Sequence, residues 1–222
     1  MRSIVVKTLV VVITVLTAHA LGAADLQVTT VAGIGPGTGA PGSPCATGCG
    51  LQIDMTGDTN KAYVVSSHPS SERVISVEFW YHPNNTLGPD KTSVVLLEAR
   101  KGAPNAQVLM KVSAVFKNGR VKLRAFLQDD SGSTIRAGQF DLNPTKKVPL
   151  RLEWQAASGA SANDGSLSMI NLSNNKTKSV TGIDNYLGGS DGIDEIRFGY
   201  TKSGHVSIVG SFFLDDYISS RS

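Results

Sequence analysis

The chain has 222 residues, 41% of them hydrophobic, with 21 Lys and Arg against 18 Asp and Glu and only two cysteines. That length is enough to bury one sizeable core. No stretch gathers Lys and Arg into a phosphate-binding stripe, so nucleic acid is not an expected partner.

In chain order, Arg2 and Lys7 come first, then an apolar run from Leu9 to Leu16, then small residues at Ala18 and Ala20 and again at Gly22 and Ala24. This is the pattern of a secretory signal peptide, with cleavage expected after Ala20 through Ala18 and Ala20, and cleavage after Ala24 through Gly22 and Ala24 as the alternative. The apolar run falls short of the roughly 20 residues that a bilayer core requires, so the mature chain carries no expected membrane span. Removing residues 1–20 takes the length from 222 to 202 and the basic count from 21 to 19 against 18 acidic residues. The sequence therefore predicts a nearly neutral secreted protein, extracellular or periplasmic.

Residues 21–50 form a Gly/Pro-rich segment in which Leu26 to Val31 offers one short edge strand. From Ala32 to Gly50 glycine and proline dominate, so neither a continuous ladder nor a helix is expected there. Cys45 and Cys49 are expected to pair as a disulfide in an oxidising compartment. A metal site is the rival reading, and it would need two more soft ligands where none lies nearby in sequence.

From residue 51 to the end the chain reads as one sandwich domain. Strand-like runs are predicted at Leu51–Thr56, Ala62–Ser66, Arg73–His82, Ser93–Arg100, Gln107–Phe116 and Val121–Gln128. They continue at Thr134–Phe140, Val148–Ala156, Ser166–Leu172, Lys178–Gly182, Gly192–Tyr200 and Val206–Ile218. Asn118-Gly119 reads as a tight hairpin turn, and Asp129-Asp130-Ser131-Gly132 and Asn163-Asp164-Gly165 as longer turns, so antiparallel pairing follows.

Period-two alternation assigns faces within each strand. Ile75, Val77, Phe79 and Tyr81 oppose Ser76, Glu78 and Trp80; Val121, Leu123, Ala125 and Leu127 oppose Lys122, Arg124 and Phe126; Leu150, Leu152 and Trp154 oppose Arg151, Glu153 and Gln155. One wet sheet face of mixed charge is implied.

Several short runs carry a resemblance to a known family. They are Leu152-Glu153-Trp154, Ala162-Asn163-Asp164-Gly165-Ser166-Leu167, Gly182-Ile183-Asp184-Asn185, Ile193-Asp194-Glu195-Ile196-Arg197-Phe198-Gly199, and Phe213-Leu214-Asp215-Asp216-Tyr217 with Ser219-Ser220-Arg221. Together they resemble bacterial secreted domains of the concanavalin A-like lectin/glucanase superfamily, also called laminin-G-like. The resemblance implies an all-β, two-sheet antiparallel jelly-roll sandwich with one concave sheet. Many members of that superfamily bind carbohydrate and some cleave it.

Retaining glycosidases of that superfamily place two acidic residues at alternating positions of one strand, so that the carboxyls sit about 5 Å apart on one face. No such pattern occurs here. Asp194-Glu195 and Asp215-Asp216 are adjacent, would point to opposite faces of a strand, and read as strand-end or solvated carboxylates. Gly188-Gly189-Ser190-Asp191-Gly192, with Asp194 and His205 after it, imitates a nucleophile elbow but lacks the strand before and the helix after. Gly35-Pro36-Gly37-Thr38-Gly39-Ala40 lacks the βαβ frame of a dinucleotide fingerprint. His68, His82 and His205 stand isolated.

Loop oxygens suited to calcium are offered by Asp129, Asp130, Asp164 and Asp184, with Asn163, Asn185 and Asp191. The same residue types are what tight turns require, so no resident cofactor is expected and calcium is the one ion to consider. For carbohydrate, the expected surface is Trp80 and Phe126 among Glu78, Arg124, Arg151 and Glu153. The rival reading has Trp80 under a loop and the charges in cross-strand pairs. The sequence thus predicts a secreted, non-enzymatic module that binds polysaccharide or a cell-surface glycan. A structural or adhesion protein without a small ligand, and a degenerate glycoside hydrolase or lyase, remain as alternatives.

Overall fold

A computed structural model describes residues 26–27, 34–37, 50–56, 62–86, 88–102, 107–186, 192–201 and 208–221. The expected signal peptide, the Cys45–Cys49 pair, Ser190, Asp191 and His205 lie outside the described residues.

Among the described residues the elements are all strands. They are β1 (Leu26–Gln27), β2 (Ile34–Gly37), β3 (Gly50–Thr56), β4 (Ala62–Glu72), β5 (Val74–His82), β6 (Ser93–Arg100) and β7 (Val108–Lys117). Then follow β8 (Arg120–Gln128), β9 (Thr134–Leu142), β10 (Val148–Gln155), β11 (Gly165–Asn171), β12 (Lys176–Ile183), β13 (Ile193–Tyr200) and β14 (Val209–Arg221). No described helix is long and apolar enough to cross a membrane.

Two seven-stranded sheets result, one ordered β1-β4-β13-β6-β7-β8-β9 and the other β12-β11-β10-β5-β14-β3-β2. Every pairing is antiparallel. The protein is a jelly-roll sandwich. We refer to the two layers as the β13 sheet and the β5 sheet.

The alternation read from the sequence decides what fills the space between them. Ile75, Val77, Phe79 and Tyr81 on β5, with Leu150, Leu152 and Trp154 on β10, are buried against Val121, Leu123, Ala125 and Leu127 on β8 and Ile196, Phe198 and Tyr200 on β13. Phe79 meets Phe198 across the gap with ring centroids 5.1 Å apart at 70°, the edge-to-face arrangement that aromatic quadrupoles favour. Asn118 and Gly119 both take positive φ, as the two-residue turn joining β7 to β8 demands.

Two expectations are corrected. The Gly/Pro-rich stretch does contribute a strand, because β2, which contains Pro36, pairs with β3 at a sheet edge where a missing N–H costs no ladder bond. Asp215 is not solvated: it is buried beside a β-bulge between Asp215 and Ile218, with Asp216 at φ 50°. The extra residue turns Tyr217 inward, 5.0 Å from the Phe198 ring centroid. Burial and the neighbouring Asp215 charge both push the Asp216 carboxyl up.

Beyond β12, Asn185 locks the sandwich edge. Fully buried, it accepts a hydrogen bond from Ala157 N at 2.6 Å and donates one to Gln155 O at 3.1 Å. Gly165 is required opposite it, since a Cβ there would lie 1.9 Å from Asn185 Oδ1. Replacing Asn185 with Ala leaves the buried Ala157 N–H unmet and removes a donor from the part-buried Gln155 carbonyl, so Asn185→Ala is expected to cost about 1–3 kcal/mol in denaturant unfolding.

His82 sits at the end of β5 against Phe213 and accepts the Asn84 N–H on Nδ1 at 2.9 Å. Burial holds its imidazole below the ordinary value; the Thr145 carbonyl pulls the other way, and Lys147 reinforces the lowering. As pH falls below about 6.5 the unfolded chain takes up this proton before the folded one, so stability is lost on acidification. The unfolding midpoint is expected to drop between pH 7 and pH 5, and the drop is expected to be smaller in His82→Gln.

Candidate functional site

Alternation that buries half of each strand leaves the other half facing outward. On the β13 sheet the outward residues include Glu195 and Arg197 of β13, Glu98 and Arg100 of β6, Lys111 and Ser113 of β7, Lys122, Arg124 and Phe126 of β8, and Arg136 and Asp141 of β9, which stand opposite Phe126 and Lys122. The ladder sets them side by side. Arg197 faces Glu98, Glu98 faces Lys111, Lys111 faces Phe126, and Ser113 faces Arg124.

A trough of about 580 Å³ runs across these strands. Its charged lining residues are Lys91, Arg100, Lys111, Arg124 and Arg197 against a single carboxylate, Glu98. Hydroxyls are supplied by Ser93, Ser113 and Thr201, and an aromatic ring by Phe126.

The cations are held in place by different means. Arg197 pairs with Glu195 at 2.7 Å and lies 5.1 Å from the Tyr63 ring centroid. Arg124 donates to the neutral Gln139 amide at 3.2 Å, and Lys111 stands 5.3 Å from the Phe126 ring centroid. Neither of these last two forms an ion pair with a described residue, so their charge remains available to an anion. At the rim, Lys122 pairs with Asp141 at 2.9 Å.

The six residues expected to form one carbohydrate surface do not meet. Arg124 and Phe126 lie in the trough, whereas Glu78, Trp80, Arg151 and Glu153 lie on the outer face of the β5 sheet, on the far side of the sandwich. Parity along a strand tells which side of its own sheet a residue takes, not which sheet the strand joins. On that far face Arg151 Nε donates to Glu78 Oε1 at 2.7 Å and approaches Glu153 at 3.9 Å, while Lys147 stands 4.4 Å from the Trp80 ring centroid. Arg100, Lys111 and Arg197 were not singled out from the sequence. Their signal was the outward parity of single cations on separate strands, which only the ladder converts into a cluster.

The carboxylates considered for calcium serve turns. Asp129 accepts from Ser131 Oγ and Ser133 N, Asp164 from Ser158 N, and Asp184 from Tyr186 N. Asp130 N donates to the Asp184 carbonyl. The Ser158 hydrogen bonds hold the Asp164 carboxyl below the usual range. No group of three or more His, Cys, Asp or Glu that could hold a metal occurs among the described residues. Asp194, part of the dismissed elbow pattern, accepts from Ser71 Oγ and Gly102 N and so ties β4 to the loop after β6.

No protein-family model matches the chain, and no curated protein matches it in sequence. Solved structures do resemble it. A carbohydrate esterase from the Shiga toxin-encoding bacteriophage phi24B matches with a TM-score of 0.51 and 6% identity, over 89% of this chain and 87% of its own. A family 7 alginate lyase in complex with substrate matches with a TM-score of 0.50 and 13% identity, over 79% and 78%. A Trypanosoma rangeli sialidase matches with a TM-score of 0.51 and 15% identity, over 78% of this chain and 25% of that one.

At these identities the likeness establishes the fold: a jelly-roll sandwich of the class that includes carbohydrate-active proteins. It also corrects one expectation. The expectation of a non-enzymatic module is corrected, since the carbohydrate esterase and the alginate lyase, which share this fold over most of their own length, are enzymes, so the fold gives no ground for excluding catalysis. The missing carboxylate pair speaks only to one way of cleaving a glycosidic bond, and esterases and lyases break bonds by other routes.

The Glu78–Arg151–Glu153 group is about as exposed as surface ion pairs usually are, with Arg151 38% and Glu78 35% accessible. Arg151→Ala is therefore expected to shift unfolding free energy by less than about 1 kcal/mol, measured by urea titration.

Proposed function

We propose that the protein acts on carbohydrate through the outer face of its β13 sheet, and that its ligand is an acidic polysaccharide or cell-surface glycan. The observation that carries this reading is the 580 Å³ trough whose lining sets five cations against one carboxylate. An extended open groove suits a polymer better than a small molecule. Guanidinium forks match carboxylates in a bidentate geometry, the serine and threonine hydroxyls suit sugar hydroxyls, and Phe126 offers an apolar surface to a sugar ring. The likeness to carbohydrate-active enzymes of the same fold supports the choice of ligand class.

Residues 1–20 are proposed to be removed on export, which would bring the trough to glycan outside the cytoplasm. The Cys45–Cys49 disulfide belongs to the same proposal.

The test is retention on a panel of acidic and neutral polysaccharides, with and without calcium, and chain-length analysis of the polymer after incubation to separate binding from turnover. Binding to acidic polymers is expected, and it is expected to weaken as salt screens the trough. Arg124→Ala and Lys111→Ala are each expected to weaken it about fivefold, equivalent to about 1 kcal/mol. Retention on neutral polymers alone, or retention of acidic polymers that neither substitution alters, would overturn the proposal.

A further inference from the structure

The cations on the outer face of the β13 sheet follow one line across the strands. The ladder sets Arg197, Glu98, Lys111, Phe126 and Arg136 opposite one another in turn, on β13, β6, β7, β8 and β9. Cations hold the first, third and fifth places of this row. On the two strands between them the cation stands two residues off the row, Arg100 to one side on β6 and Arg124 to the other on β8. Five adjoining strands thus carry one cation each along a single line. The line stops at β9, which is the sheet edge, and at β4, where Val65 stands opposite Arg197 with Tyr63 and Ser67 on either side of it.

Arg136 reaches this line through a bulge. Ala125 pairs with Gly138 but Phe126 pairs with Arg136, so Ala137 is the extra residue. Unshifted pairing would set Ala137 opposite Phe126 and turn Arg136 to the inward side, opposite the buried Leu127. Instead Arg136 is exposed and forms no ion pair with a described residue. Two carboxylates lie by the line: Glu195, which pairs with Arg197, and Glu98, which stands between Arg197 and Lys111. A rival file of cations, Arg120, Lys122 and Arg124, runs along β8. There Asp141 pairs with Lys122, and Asp90 accepts the Asn118 N–H at the turn where the file ends.

We infer that the bound polymer crosses the strands from β13 to β9, that it carries an acidic group on every sugar over this stretch, and that Arg136 is its outermost contact, beyond the trough itself. This rests on the polysaccharide reading above and adds the direction and charge density of the ligand. Neighbouring strands lie about 4.8 Å apart, so the line from Arg197 to Arg136 spans about 19 Å. A pyranose in an extended chain advances by about one strand spacing, so successive sugars meet successive cations. The long side chains of Arg100 and Arg124 reach the line from its two sides, and Glu98 is an acceptor for sugar hydroxyls.

The test is a series of homopolyuronate oligomers of about two to seven sugars, titrated calorimetrically against the full chain. Affinity is expected to climb with length to about five sugars and then level off. Arg136→Ala is expected to weaken the five-sugar oligomer about fivefold and the three-sugar oligomer less than about twofold, since the shorter chain fits over Arg100, Lys111 and Arg124. Arg136→Lys, which keeps the charge, is expected to retain most of the affinity. Arg120→Ala, on the file along β8, is expected to change neither oligomer by more than about twofold. An oligomer of equal length with an acid on every second sugar is expected to bind about tenfold more weakly. A plateau already at about two sugars, loss of affinity in Arg120→Ala but not in Arg136→Ala, or equal affinity for the half-charged oligomer would overturn the inference and leave the acidic-polysaccharide reading standing. Failure of every oligomer to bind would remove both.

Discussion

The structure depends on the closure of two sheets over one apolar layer, with Phe79 and Phe198 meeting at its centre. Apolar burial of this kind is the dominant favourable term in folding, and in a sandwich it commits every second residue of each strand. The remaining residues are then free of packing duty. That division makes the outer faces available for recognition, and it explains why the two faces can differ so much in charge while sharing one interior.

Register carries the consequence further. A slip of one residue in any strand would exchange its buried and outward sets, so the apolar residues that fix register also fix where Arg100, Lys111, Arg124 and Arg197 stand. The trough is thus a by-product of core packing. Four of its five cations come from different strands of the β13 sheet, in the order β13, β6, β7 and β8, and Lys91 comes from the turn before β6. Turn residues and buried amides add to this frame: Asn118-Gly119 sets the β7–β8 pairing that puts Lys111 beside Phe126, and Asn185 holds the edge of the opposite sheet.

Much of the fold was legible in the sequence because alternation is a local signal. Ser93–Arg100 ends where the ladder ends, and the inward set of Val121, Leu123, Ala125 and Leu127 is buried as its parity requires. The candidate site was legible only in part, because a site in a sandwich is assembled across strands far apart in the chain. Arg124 and Phe126 were found from their own strand, whereas Trp80 was grouped with them although its strand lies in the other sheet. Asp215 failed for a different reason. A bulge interrupts the period of two, and no local feature of Phe213-Leu214-Asp215-Asp216-Tyr217 marks where the extra residue falls.

The two outer faces also differ in how they treat charge. On the β5 sheet Glu78, Arg151 and Glu153 answer one another along and across strands, which is how exposed sheets ordinarily neutralise themselves. On the β13 sheet Lys111 lies between Glu98 and the Phe126 ring without forming an ion pair with a described residue, Arg124 donates to an amide, and further cations stand on the adjoining strands. Like charges gathered on one face repel, so this arrangement opposes folding slightly and is not explained by stability. A bound polyanion would relieve that repulsion and stabilise the folded chain by mass action, because the unfolded chain presents no such array. On the proposed reading, that relief is what the excess charge would contribute to binding, whereas the sandwich that displays it does not require the charge.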